Sequence, residues 1–195
     1  MDRTSEVERK TAETAIKVRL TVDGTGHVNI RTGIGFFDHM LTLFACHGMF
    51  DLCVDATGDL HVDAHHTVED IGIVLGDCLD KALGTREGIR RYGISSVPMD
   101  EALVMVTVDL GGRPFLVFNC SFPCSKIGEF DTELVEEFLR ALSNHLRANI
   151  HVNLFYGKNA HHIAESIFKG LGRALDEATS LDSRIKGQLT TKGVL

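Results

Sequence analysis

The chain has 195 residues, an apolar fraction of 44% and a formal net charge of −7. This length suits one large domain or two small fused ones, and the apolar fraction is sufficient for a packed core. Nucleic-acid binding is not expected, because it requires clustered basic surface. Membrane insertion is not expected either, because no apolar run reaches the roughly 18 residues of a membrane-spanning helix.

The N-terminal residues 1–8 are predicted to be flexible, and the first ten residues lack the apolar segment of a secretory signal. A cytoplasmic location is therefore expected. The cysteines agree with this, because their number is odd and none forms a C-x-x-C pair, which is typical of reduced thiols. No role is assigned to these five residues: Cys46, Cys53, Cys78, Cys120 and Cys124.

The first half of the chain, residues 9–95, begins with an alternating segment at 17–24. It turns at Gly24 and Gly26 and returns through 28–30, which predicts a β-hairpin. Residues 36–44 have helical periodicity, residues 52–56 predict a strand, and a second helix begins at His65.

The second half, residues 96–195, repeats this order after a boundary near 95–99. Residues 105–109 alternate and return through 115–117, residues 134–142 predict a helix, residues 149–156 predict a strand, and a last helix begins at His161. Two β-β-α-β-α halves predict an α+β fold with mainly antiparallel sheets and helices packed between them. The halves are expected to form one compact domain whose C-terminal tail binds substrate.

The motif His-His-x-x-Glu opens the second helix of each half, as His65-His66-x-x-Glu69 and His161-His162-x-x-Glu165. Residues at i and i+4 share a helix face, so the first histidine and the glutamate of each motif can bind one ion. The middle histidine points about 100° away around the helix and can reach a second ion. A single copy is more typical of a solvated helix face, but two copies with equal spacing favour a two-metal centre.

Aligning the first helices of the two halves adds His39 and Glu137, which occupy equivalent positions. Imidazole and carboxylate ligands fit Mn, Fe or Zn better than Ca or Mg. Whether the halves meet within one chain or across an interface stays open at this point. The candidate metal ligands are therefore His39, His65, His66, Glu69, Glu137, His161, His162 and Glu165.

Basic residues beside glycine, proline or threonine occur near Arg91, near Arg113 and in the C-terminal tail. Such groups can bind phosphate, although each alone is more typical of a solvated surface charge.

Several segments together resemble the imidazoleglycerol-phosphate dehydratases of histidine biosynthesis, in their monofunctional form. The resemblance extends from about Arg9 to Leu195. The segments are RKTAET (9–14), GFFDHML (35–41), HHTVED (65–70), HHIAE (161–165) and TKGVL (191–195).

The resemblance implies a homo-oligomeric enzyme, a 24-mer with active sites between subunits and two Mn(II) ions per site. One ion would be held by His39, His66, His161 and Glu165. The other would be held by His65, Glu69, His162 and residue 137. Many members have His where this chain has Glu137, and many have a phosphate-binding Gln where it has Leu43.

The implied substrate is D-erythro-imidazole glycerol phosphate, which is dehydrated to imidazole acetol phosphate. The hydrogen that is removed is not beside a carbonyl, so electrons are expected to come from a di-metal-bound imidazolate. Proton transfer is assigned to Glu13, with His47 and Asp100 as alternatives, and Asp70 is expected to orient a ligand histidine. The expected substrate-binding residues are Glu13, Arg91, Arg113, Lys169, Thr191, Lys192 and Gly193.

Two other functions compete with this hypothesis. A two-metal phosphate-ester hydrolase would use similar ions to activate water, and a metal-storage shell would need no catalytic tail. The threonine- and lysine-containing tail favours the dehydratase over storage.

Overall fold

The structure is a computed structural model that describes residues 3–192. In the first half the elements are β1 (Thr4–Lys10), β2 (Thr14–Thr21), β3 (Val28–Arg31), α1 (Gly35–His47), β4 (Asp51–Gly58) and α2 (His65–Leu83). In the second half they are β5 (Tyr92–Met99), β6 (Ala102–Asp109), β7 (Phe115–Asn119), β8 (Lys126–Ile127), β9 (Phe130–Asp131), α3 (Leu134–Leu146), β10 (Asn149–Tyr156) and α4 (Ala160–Thr179).

Each half forms one four-stranded sheet, in the orders β1-β2-β4-β3 and β5-β6-β10-β7. Two pairings in each sheet are antiparallel and one is parallel, so the predicted α+β fold with mainly antiparallel sheets is confirmed. The repeating unit is β-β-β-α-β-α, one strand longer than predicted.

Both predicted hairpins are wrong. Strand β3 does not pair with β2, because β1 and β4 occupy both edges of β2, and β3 instead runs parallel to β4. In the same way β7 pairs with β10 in parallel rather than with β6. The chain therefore crosses over between strands that the alternation alone suggested were neighbours.

The bounds of the predicted halves also differ from the structure. Residues 4–8, predicted as part of a flexible N-terminus, lie in β1 because their backbone is paired with β2 from Thr4 opposite Thr21. The predicted boundary between residues 95 and 96 falls inside β5, which belongs entirely to the second sheet.

The four long helices lie between the two sheets, as predicted. One face of β2 is buried through alternate residues Ile16, Val18 and Leu20, and the same alternation recurs in β6. Helix α2 packs on the first sheet and against α3, whereas α4 packs on the second sheet and against α1. Within 3–192 no helix is long and apolar enough to cross a membrane.

Glycines permit the close approach of these helices, among them Gly72 and Gly76 of α2. A Cβ atom at Gly72 would lie 2.7 Å from the carbonyl oxygen of Phe138 on α3. A Cβ atom at Gly172 of α4 would overlap the carbonyl oxygen of Phe44 on α1. The packing of α1 on α4 brings His39 beside the second His-His-x-x-Glu motif.

Candidate metal and substrate site

A cluster of His39, His161 and Glu165 lies where α1 meets α4. The Nε2 atoms of His39 and His161 lie 3.1 Å and 3.0 Å from Glu165 Oε1. Their potential ligand atoms all lie within 4.8 Å of one another, the one such group found among residues 3–192. Two imidazole nitrogens and a carboxylate are suitable ligands for Mn, Fe or Zn, so this donor set fits a metal ion.

Glu165 is buried, with 7% of its surface exposed, and is held from both sides of its carboxylate. Burial alone would raise its pKa, but hydrogen bonds from Lys169, His39 and His161 lower the pKa of Glu165 to about 2. Lys169 Nζ donates to Oε2 at 2.6 Å, which leaves Oε1 towards the histidines. Lys169, predicted to bind substrate, therefore contacts a candidate metal ligand in this chain.

The other candidate ligands are more dispersed. His65 Nε2 lies 3.6 Å from Glu69 Oε2, as expected for residues at i and i+4. Glu137 lies in the first turn of α3, where its Oε1 is 3.8 Å from Arg140 Nε. Among the described residues, no group of three close potential ligands contains His65, Glu69, Glu137 or His162.

Local sequence explains where the two histidine motifs begin. The Asn159 side chain accepts the backbone N–H of His161 at 2.9 Å and caps the start of α4. Asp63 accepts the N–H of His65 at 2.8 Å in front of α2. Each motif thus begins in the first turn of its helix.

The middle histidines are each hydrogen-bonded to a carboxylate that the sequence analysis missed. His66 Nδ1 lies 3.0 Å from Asp59 Oδ2, and His162 Nδ1 lies 2.7 Å from Glu101 Oε2. These bonds raise the pKa of both histidines. Asp59 immediately follows β4, and Glu101 lies in the β5–β6 turn. The sequence offered no signal for these two histidine partners beyond an acidic side chain near the end of a strand.

Among the described residues, both carboxylate oxygens of Asp70 bond to groups other than a ligand histidine, so the expected orienting role is wrong. Its Oδ1 accepts from Arg9 Nε at 3.0 Å, and its Oδ2 accepts from the Thr14 hydroxyl. Asp70 therefore ties α2 to the first sheet.

The three candidate proton-transfer residues lie on different elements. Glu13 is exposed in the β1–β2 turn and lines a pocket of about 150 Å³ together with His66 and Glu69. His47 is at the end of α1, where burial and the nearby cations Lys169 and Arg173 lower its pKa. Asp100 is exposed in the β5–β6 turn, with its Oδ2 3.7 Å from His162 Nε2.

A second, larger pocket brings together the predicted phosphate-binding residues. It has a volume of about 900 Å³ and is open to solvent. Its lining includes Arg91, Arg113, Thr190, Thr191 and Lys192. The lining contains none of the eight candidate metal ligands.

The guanidinium of Arg91 is oriented within this pocket by two partners. Asp109 accepts from its Nε at 2.7 Å and raises the pKa of Arg91, and the Leu189 carbonyl accepts from its Nη1 at 2.8 Å. The second contact ties the C-terminal tail to the pocket.

Two further basic residues, Arg184 and Lys186, line the same pocket but were not among the predicted substrate-binding residues. Leu43 is partly buried against the core, and Gly193 lies outside the described residues.

The sequence profile of the imidazoleglycerol-phosphate dehydratase family matches residues 32–175. The chain is 59% identical over 195 residues to imidazoleglycerol-phosphate dehydratase of Acetivibrio thermocellus, with 100% of both chains covered. It is 60% identical over 195 residues to that of Geobacter sulfurreducens, again with 100% of both chains covered.

Two solved structures have similar folds. The crystal structure of imidazoleglycerol-phosphate dehydratase from Staphylococcus aureus has a TM-score of 0.84 and 41% identity, over 92% of this chain and 99% of that one. IGPD from Pyrococcus furiosus in complex with (S)-C348 has a TM-score of 0.84 and 40% identity, over 97% of this chain and 100% of that one. The similarity therefore extends across both halves of the duplication.

Proposed function

Because the chain belongs to the imidazoleglycerol-phosphate dehydratase family, which makes it a hydro-lyase of histidine biosynthesis, we propose that it works with two Mn(II) ions at each active site. Its proposed reaction converts D-erythro-imidazole glycerol phosphate to imidazole acetol phosphate and water. The observation that carries the metal proposal is the convergence of His39, His161 and Glu165 within 4.8 Å.

The first ion is proposed to bind His39, His161, Glu165 and His66. Three of these four lie together in one chain, whereas His66 is outside the cluster. The second ion is proposed to bind His65, Glu69, His162 and Glu137, and the first two of these are neighbours on α2.

A homo-oligomer with active sites between chains would bring the remaining ligands to each set. A 24-mer is the proposed assembly. An assembly of some kind is supported because, among residues 3–192, one chain brings only three candidate ligands together and none of the eight lines the phosphate pocket. The number of 24 chains follows from the family resemblance alone.

When bound, the two ions would supply Lewis acidity to the substrate's imidazole nitrogens, which favours loss of the ring proton and departure of the neighbouring hydroxyl. The protein's own residues supply the remaining functions. Glu165 is ionised at neutral pH and ready to bind a cation. Arg91, already oriented by Asp109, together with Arg113 and Lys192 supplies positive charge for the substrate phosphate.

Glu13 is the proposed proton carrier. It is exposed, and it lines the same pocket as His66 and Glu69, whose side chains are candidate metal ligands. A general acid or base must reach both the substrate and solvent, and Glu13 satisfies this better than a buried carboxylate. His47 and Asp100 stay alternatives.

A cytoplasmic location is part of the proposal. It is supported by the free state of all five cysteines, which is typical of a reducing compartment.

Product analysis tests the proposed reaction. Purified protein supplied with Mn(II) should convert imidazole glycerol phosphate to the ketone imidazole acetol phosphate, without release of inorganic phosphate. Release of inorganic phosphate in place of the ketone would instead indicate the phosphate-ester hydrolase, and binding of metal with no product would indicate the storage protein.

A further inference from the structure

We propose that Asp59 and Glu101 are positioning residues that fix the orientation and tautomer of His66 and His162, so that Nε2 of each ring is left for a metal ion. The inference rests on the proposed two-ion function. It concerns the two middle histidines, which the i, i+4 geometry of the motif does not itself orient.

Glu101 connects three groups at the entrance to α4. Its Oε1 accepts the backbone N–H groups of Lys158 and Asn159 at 3.0 Å and 2.7 Å. Its Oε2 lies 2.7 Å from His162 Nδ1. Because both carboxylate oxygens are engaged, Glu101 is fixed in one position and holds the imidazole ring in one orientation.

Asp59 holds the imidazole ring of His66 in a similar way, from a different part of the fold. It follows β4, its side chain is only 16% exposed, and its Oδ2 lies 3.0 Å from His66 Nδ1. Its other oxygen, Oδ1, is buried and has no hydrogen-bond partner in the described structure. Burying a carboxylate oxygen without a partner opposes folding, so the position is better explained by the histidine contact than by stability.

The chemistry of the hydrogen bond sets the tautomer. An ionised carboxylate only accepts, so the ring nitrogen that faces it must carry the proton. A neutral imidazole then has its proton on Nδ1 and a lone pair on Nε2, which is the form that binds a metal through Nε2. Both middle histidines are thereby prepared in the same form.

The two halves orient their middle histidines through residues at non-equivalent positions. Glu101 lies in the β5–β6 turn, and the corresponding β1–β2 turn of the first half carries Glu13. Glu13 Oε2 is 3.8 Å from His66 Nδ1, too far for a hydrogen bond, while Asp59 occupies that nitrogen. Asp59 therefore leaves Glu13 exposed and available for proton transfer, whereas Glu101 is committed to its histidine.

The test uses the isosteric variants Glu101→Gln and Asp59→Asn in the full-length protein. In Glu101→Gln the amide oxygen can still accept from Lys158 and Asn159, which directs the amide N–H₂ towards His162. Because an amide N–H₂ donates, the ring is expected to move its proton to Nε2 and lose its metal-binding lone pair. In Asp59→Asn no backbone donor orients the amide, because the second oxygen of Asp59 has no partner, so His66 loses only its charged acceptor and a smaller effect is expected.

The measurement is a titration of the metal-stripped protein with Mn(II), in which the free ion is followed by electron paramagnetic resonance. Glu101→Gln should weaken one of the two bound ions by about 10- to 100-fold, and Asp59→Asn should weaken the other by less. Each variant should leave the remaining ion at its wild-type affinity. At pH 8, where the imidazole rings are neutral, the thermal midpoint of the metal-free variants should stay near that of the wild type, because the loop contacts persist.

Asp77→Asn is the matched control. It removes a carboxylate that faces His145 Nδ1 at 2.9 Å, and His145 is not a proposed ligand. Wild-type Mn(II) affinity in this variant is expected.

Two results would overturn the inference. The first is wild-type affinity for both ions in Glu101→Gln and Asp59→Asn. The second is equal weakening of both ions together with a lower metal-free midpoint, which would indicate general structural support. If the unmodified protein itself bound no Mn(II), the proposed two-ion function would fail instead, so the two failures are distinguishable.

Discussion

Glu165 is the residue on which the proposed first metal centre most depends. Its Oε1 faces two histidines from different helices, while Lys169 holds Oε2. The strongly lowered pKa means that its charge is present across the neutral range. One buried anion therefore connects α1, α4 and the proposed ion.

Replacement of Glu165 by glutamine should remove the charge with little change in shape. We expect the affinity for one Mn(II) ion to fall by about 100-fold, about 2.7 kcal/mol, with loss of turnover. Equilibrium dialysis of the stripped protein measures the first effect. Glu177→Gln, on the same helix, serves as the control, because Glu177 accepts only a backbone contact from Ile94 among its described bonds. Wild-type Mn(II) affinity in Glu165→Gln would show that this carboxylate is not a ligand.

Metal binding should depend on pH through His66 and His162. Hydrogen bonds to Asp59 and Glu101 raise the pKa of these rings above 6.5, so protons compete with metal at higher pH than for free imidazole. Mn(II) affinity should therefore decline as pH falls from 8 to 6. The metal-free protein should show the opposite trend, because a raised pKa contributes stability below 6.5 that is lost as pH rises through the raised value.

Titrations with Mn(II) and thermal melts at pH 6, 7 and 8 measure both trends. The double variant Asp59→Asn, Glu101→Gln should show a weaker pH dependence of metal-free stability. Affinity that is independent of pH would contradict the assignment of neutral imidazoles as ligands.

At this scale the sequence was informative wherever a helix period fixed the geometry. The pairs His65–Glu69 and His161–Glu165 were predictable because i and i+4 share a face. Asp59 and Glu101 were not, because each reaches its histidine through a loop that has no sequence period. Asp70 was misassigned since it follows Glu69 by one position and so points towards the first sheet, where it binds Arg9 and Thr14.

Among the elements, the contact between α1 and α4 matters most for the site. Gly172 lets the two backbones approach so closely that a Cβ atom there would overlap Phe44 and lie 2.9 Å from the Gly48 nitrogen. This approach brings His39 within reach of Glu165.

Gly172→Ala should force α1 and α4 apart, with a loss of roughly 1–3 kcal/mol in unfolding free energy. Weaker Mn(II) binding should accompany it, because His39 moves with α1. Thermal or urea unfolding of the metal-free protein measures the first effect. Gly35→Ala is the matched control, since a Cβ atom at Gly35 meets no atom within 4 Å. Equal stability of the two variants would contradict the packing argument.

The C-terminal tail is a second functional element. Arg91 donates to the Leu189 carbonyl, and Thr191 and Lys192 line the pocket proposed for phosphate. Truncation after Thr190 should abolish turnover, because the substrate phosphate loses part of its binding site, while metal content stays intact. Metal analysis and activity assays on the same sample distinguish the two effects. Full turnover in the truncated protein would show that the tail has no role in catalysis.

The strands show the limit of sequence patterns. Alternation indicated β2 and β6 but missed the first three residues of each. It succeeded in part because a sheet with one covered face imposes a period of two. The partners of β3 and β7 were predicted wrongly, since parallel pairing with β4 and β10 depends on long-range topology that no local pattern encodes.

For the whole molecule, the duplication provides two similar halves whose helices meet between two sheets. The sequence predicted this arrangement because both halves repeat the same order of elements and the same motif. Each half carries one His-His-x-x-Glu motif, yet the described part of one chain brings together only three candidate ligands around a common point. The incomplete ligand sets connect the proposed metal binding directly to the proposed assembly.

The most direct test of this account follows turnover and mass together. The protein is stripped with a chelator, and imidazole glycerol phosphate turnover and light-scattering mass are measured before and after addition of Mn(II). Turnover and a large homo-oligomer are both expected to return with Mn(II). Full turnover by a stripped, monomeric protein without added metal would contradict the proposed metal-dependent assembly.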